Sequence, residues 1–92
     1  MLCRSARRGL SRLMLRWPAF RGVLASCAEA DDEFASLCEI YAEAQDALEA
    51  WRKSGHVSAP ARATEYMEMV SEIENDILDK LSASHDKTGS IS

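Results

Sequence analysis

Along residues 31–51, DDEFASLCEIYAEAQDALEAW, the large apolar side chains recur at helical spacing. Phe34, Leu37, Tyr41, Ala44, Leu48 and Trp51 are three, four, three, four and three residues apart. That rhythm puts them on one stripe of an α-helix. Asp31 or Asp32 can cap the helix, Arg52 and Lys53 suit its negative end, and Ser54-Gly55 is a stop, which predicts a helix over 31–53. A second stripe, Ala63, Tyr66, Val70, Ile73 and Ile77 and then Lys80 or Leu81, predicts another helix over 58–83. Ser58 is placed to cap it and Pro60 falls in its first turn, where a missing N–H costs little. Folding the second helix back across SGHVS pairs Trp51 with Ala63, Leu48 with Tyr66, Ala44 with Val70, Tyr41 with Ile73 and Leu37 with Ile77. Each pair of position numbers sums to 114, and Phe34 with Leu81 gives 115. The expectation is an antiparallel coiled-coil helical hairpin with Leu37, Tyr41, Leu48, Tyr66, Ile73 and Ile77 buried.

One seam of this length leaves both helices mostly wet, and cores so small rarely supply more than roughly 3–5 kcal/mol. Cys38, Ile40, Met67, Met69 and Leu78 lie beside the seam, either widening it or forming a docking face. Something further should cover the hairpin. The stretch LSRLMLRWPAFRGVLASC puts Leu10, Leu13, Met14, Trp17, Phe20, Leu24 and Cys27 on one helical face, with the basic positions Arg8, Arg12 and Arg16 opposite and Arg7 and Arg21 flanking. Pro18 should end one helix near Arg16 and start another.

Charge sharpens the question of what this segment does. Residues 1–28 carry six arginines and no acid, a charge of +6. Residues 29–92 carry fifteen acids against five bases, a charge of −10, and together these make the net −4. Four readings of the basic segment stay open. It is a third layer on the hairpin with its arginines near the acids, a surface for anionic lipid, an organelle transit peptide, or sequence upstream of a true start at Met14. In the first reading, residues 18–28 form a short helix with Trp17 or Phe20 near Ile40, Met67 or Met69.

Chemical constellations are few. The sequence has no Gly-rich phosphate loop, no HExxH, no CxxC and no nucleophile elbow. Cys3, Cys27 and Cys38 are odd in number and lack metal-like spacing, so free thiols in a reducing compartment are expected. His56 falls in the turn and His85 in the tail, and both read as solvated. Glu39, Glu43, Asp46 and Glu49 read as a solvated face, and Glu49–Lys53 and Asp76–Lys80 have the favourable order for ion pairs within a helix. No apolar run approaches the length that spans a bilayer.

The stretch DDEFASLCEIY, followed some thirty residues later by EIENDILDKL, resembles the YdcH-like family of small bacterial proteins. The matching positions are Asp31, Phe34, Leu37 and Tyr41, then Ile73, Ile77, Leu78 and Leu81. Over residues 31–82 the resemblance implies a helical hairpin that often self-associates and has no established activity. The second helix here is acidic rather than Lys-rich, and the N-terminal extension departs from the pattern.

The sequence therefore reads as all-α, a small helical bundle with a basic amphipathic N-terminal segment (1–30), an antiparallel hairpin (31–83) and a disordered tail (84–92). The expected role is a non-catalytic interaction or scaffold protein in the cytoplasm. Its partner would be a protein or a second copy, most simply in a homodimer, with no cofactor, no metal and no small-molecule substrate. Trp17, Phe20, Ile40, Met67, Met69 and Leu78 are the candidate interaction surface. The alternative is a membrane-peripheral or mitochondrial accessory subunit that uses residues 1–28 as anchor or address. Nucleic acid is disfavoured by the acidic hairpin.

Overall fold

Asp31 turns the chain between its two halves. Its backbone is extended (φ −129°, ψ 111°), which ends one helix, while its carboxylate accepts from the backbone N–H groups of Glu33 and Phe34 and so caps the next. In the computed structural model, which describes residues 2–89 and the side chains as far as residue 82, the elements are α1 (Arg4–Arg16), a 3-10 turn (Pro18–Phe20), α2 (Arg21–Ala30), α3 (Asp32–Ser54) and α4 (Ala59–Gly89). The fold is all-α, with no strand among the described residues.

The boundaries follow local chemistry. The Cys3 sulfur accepts from the Ala6 N–H at the start of α1, and the helix stops at Arg16, ahead of Trp17-Pro18. Gly55, at φ 69° and ψ 3°, takes the left-handed conformation that terminates α3, where a side chain would be strained. The Ser58 carbonyl accepts the first helical bond of α4, from the Arg62 N–H. Helical backbone continues to Gly89, past the expected end at 83, because neither Gly nor Pro interrupts residues 84–88. The expectation of a disordered tail over 84–92 lies outside the residues whose side chains are described.

Helix α3 is the central element. Helix α4 packs along one side of it and α1 along another, and α2 touches all three of the others. Contacts between the ends fix the direction of the α3–α4 pair. Lys80 reaches Glu33 near the start of α3 and Glu74 meets Tyr41, next to the partner Ile73 that the pattern assigned it. The two helices therefore run antiparallel. One core joins Leu10, Leu13 and Leu24 from the N-terminal half to Phe34, Cys38, Tyr41, Ile73, Ile77 and Leu81.

Helix α1 approaches α3 at backbone distance. A Cβ built on Gly9 would collide with the carbonyl group of Cys38, so only glycine fits. Ala6 and Gly9 on one side, and Cys38 and Ala42 on the other, are all buried. This placement alters two expectations. Residues 4–16 cover the hairpin more than 18–28 do, and the covered side of α3 is the one bearing Cys38 and Ala42. Leu37, which faces the uncovered side, is only half-buried, as is Tyr66 on α4; Tyr41, Leu48, Ile73 and Ile77 are buried as expected.

Two glycines test the close approach. Gly9→Ala should lose about 1–3 kcal/mol, because the methyl forces α1 away from α3. Gly22→Ala in α2, where a methyl meets nothing, should be neutral or gain up to about 1 kcal/mol from helix propensity. Urea unfolding of the two variants reads the contrast, and equal effects would refute the contact. Ile73→Ala, truncating a side chain only 7% exposed, should lose on the order of 2–4 kcal/mol in the same assay.

Candidate interaction surface

A circuit of polar side chains ties the three long helices together. Arg12 on α1 donates to Oε1 of Gln45 at 3.2 Å, and Gln45 Nε2 donates to the Tyr41 hydroxyl at 3.1 Å. Tyr41 donates to Oε2 of Glu74 on α4 at 2.9 Å, and Arg16 returns the circuit to α1 by meeting the same oxygen at 2.9 Å. Burial and the bond to the Glu74 carboxylate push the Tyr41 hydroxyl up to about 12, so it stays a protonated donor. Tyr41 thus lies in the core by its ring and in the circuit by its oxygen. Among the described residues, no buried side-chain nitrogen or oxygen lacks a partner.

The arginines are turned further inward than the sequence pattern placed them. Arg8 and Arg12 both engage the Asp46 carboxylate, and Arg12 also donates to the Ala42 carbonyl at 3.3 Å. These two guanidinium groups, Arg12 foremost, hold the Asp46 carboxyl below the usual carboxylate range. Asp46 is therefore not simply solvated, and Arg8, Arg12 and Arg16 do not point away from the hairpin. The reason is the glycine. Counting Ala6 and Gly9 as part of the buried face rotates that face toward Arg12 and Arg16 and brings their long side chains to its rim. Lys80 likewise pairs with Glu33 at 2.8 Å and Asp31 at 3.6 Å rather than with Asp76 in its own helix. The bond to Glu33 is the main reason its ammonium titrates higher than usual. Glu49 and Lys53 do pair, at 3.3 Å.

The six apolar residues singled out as a surface do not form one patch. Trp17 packs partly buried against the core, whereas Phe20 is 43% exposed. The 3-10 turn at Pro18 breaks the helical phase, so a wheel continued across it misplaces Phe20. Ile40, Met67 and Met69 all stay exposed. Ile40 joins Leu37 on the floor of a groove of about 380 Å³ between α3 and α4, rimmed by Glu33, Asp76, Asp79 and Lys80. Met69 precedes Asp76 by seven residues and Lys80 by eleven, so it shares their flank of α4. Met67 and Leu78, eleven residues apart, lie on the other flank, that of Glu74. Leu15, Val23 and Val57 are exposed apolar residues that the pattern did not single out.

Burial, with Cys27 adding to it, pushes the Cys38 thiol up to about 11, so it is not a thiolate at neutral pH. Cys27 packs, partly buried, against the core that contains Cys38. His56 is exposed, accepts the Ser58 N–H on Nδ1 at 3.0 Å and sits edge-on to Trp51, shaping the turn. His85 lies outside the described side chains. Among the described residues, no group of three His, Cys, Asp or Glu is placed to hold a metal ion, and no helix is long and apolar enough to cross a membrane. Comparison with protein-family models, with curated proteins and with solved structures finds no match.

Asp46 gives the docking of α1 a pH dependence. Its folded pKa lies below the unfolded value of about 3.9, so the pair stabilises the fold above that value and the benefit is lost as pH falls through the folded pKa. A carbon-detected NMR titration should find Asp46 below the usual carboxylate range in the native chain. In an Arg8→Gln, Arg12→Gln variant it should return to that range. An unchanged midpoint would refute the pairing.

Proposed function

We propose that this chain is a small non-catalytic scaffold that acts by self-association, with α3 and α4 forming an antiparallel coiled-coil hairpin braced on one side by α1. The observation that carries the reading is the α3–α4 groove. Ile40, 44% exposed, lines it with a half-buried Leu37 on the side of α3 that α1 leaves open, and Met69, 43% exposed, lies further along the same flank of α4. Apolar side chains gathered on one open flank favour a covering partner, and Met suits a surface that must adapt to one. A second copy is the simplest occupant. The resemblance of residues 31–82 to the YdcH-like hairpins, which implies self-association, points the same way.

Cys3 and Cys38, outside any disulfide, fit a reducing compartment such as the cytoplasm. The membrane-anchor reading of residues 1–28 relies on the apolar face of that segment. Leu10, Leu13 and Leu24 of that face are buried in the core, which favours the scaffold reading.

Sedimentation velocity over a range of concentrations tests the proposal. The native chain should form a dimer, and Ile40→Glu should be monomeric with unchanged helical content, because the substituted side chain is exposed. A native chain that stays monomeric at every concentration would overturn the reading.

A further inference from the structure

We propose that the outer face of α1 is a docking site for a phosphate group. Arg4, Arg7, Arg8, Ser11 and Arg12, spaced three and four residues apart, line one shallow concavity of about 500 Å³. Within it the arginines divide into two kinds. Arg8 and Arg12 are held from below by Asp46, and Arg12 is fixed further by Gln45 and the Ala42 carbonyl. Arg8 reaches Asp46 through one terminal nitrogen and keeps its other N–H groups for an outside acceptor. Arg4 and Arg7 are exposed, and neither guanidinium has an acidic partner among the described residues.

Four arginines and a serine therefore line this hollow over two turns of helix, about 12 Å of rise. The acids set against them are Asp46 beneath Arg8 and Arg12, and Glu39, which accepts from the Cys3 thiol at 3.6 Å. Positive charge remains in excess. Planar, forked donors around one small hollow match a tetrahedral dianion that accepts several bonds at once better than they match dispersed single carboxylates. Leu10 and Leu13 on the apolar face of α1 are buried, so α1 meets its ligand through this basic face. The site is independent of the self-association surface, since Ile40 projects from the side of α3 away from Cys38 and α1.

Full-length chain should be titrated with sodium phosphate at constant ionic strength, with sodium chloride as reference, following the arginine Nε–H and Ser11 amide NMR signals. Phosphate should give saturable shifts at Arg4, Arg7, Arg8 and Ser11 that chloride does not. Arg4→Gln with Arg7→Gln, which breaks no internal pair, should weaken binding at least tenfold without loss of helical content. Flotation on phosphatidylcholine vesicles with and without phosphatidic acid distinguishes the sources of the group. Binding only to the phosphatidic acid vesicles assigns a lipid headgroup; saturable phosphate shifts without flotation assign a free phosphate compound. Equal shifts with chloride, unaltered binding by the double variant, or equally effective competition by poly-glutamate of matched charge would each overturn the proposal.

Discussion

The contact between Gly9 and the Cys38 backbone decides how the four helices assemble. Two helices normally keep 8–10 Å between axes because side chains stand between them. Here Gly9 of α1 carries no side chain at the crossing, so α1 sinks onto α3. Only from that depth can Arg12 and Arg16 reach Gln45 and Glu74. The surface ion pairs that result are each worth little on their own, typically under about 1 kcal/mol when exposed. Stability rests on the apolar core and the close approach; the polar circuit through Tyr41 selects one orientation of α1 among those the core alone would tolerate.

The segregation of charge along the chain is accordingly resolved in part within the molecule. The basic N-terminal segment is not a free arm beside an acidic body, because half its arginines face acids of α3 and α4. What remains unbalanced is sorted by direction. Arg4 and Arg7 look outward from α1, while Asp76 and Asp79 rim the groove between α3 and α4. Basic and acidic side chains are thus displayed on separate faces of one small bundle.

Much of this was legible in the sequence because it is written in large side chains. The stripes of α3 and α4, the Asp31 cap, the Gly55 stop and the break at Pro18 all come from residues whose effect is local and strong. The seat of α1 was not legible because its signal is an absence. A lone glycine in an arginine-rich stretch reads as a weak point in a helix, and only the neighbouring helix shows that the missing side chain is the contact. For the same reason the buried face was read too far from Arg12 and Arg16, and Cys38 and Ala42 were not recognised as the floor under α1. The candidate surface was legible by residue type but not by grouping. Met67 and Met69 are close in sequence and roughly 200° apart around the helix, so they serve opposite flanks.

The Tyr41 circuit also imposes an order on assembly. Its members come from both ends of the chain, and every partner of α1 within it is made after α1 itself. On a chain growing from the ribosome, the apolar face around Leu13 has no seat until α3 emerges, and Arg16 has no acceptor until Glu74 follows. The turn Gly55–Ser58 closes a far shorter loop than the return of α1 does, so loop entropy favours pairing of α3 with α4 first and seating of α1 last. Of the two pairings, that of α1 has the longer loop to close, and until it is made α1 is a basic, amphipathic length of chain whose Leu13 has no seat.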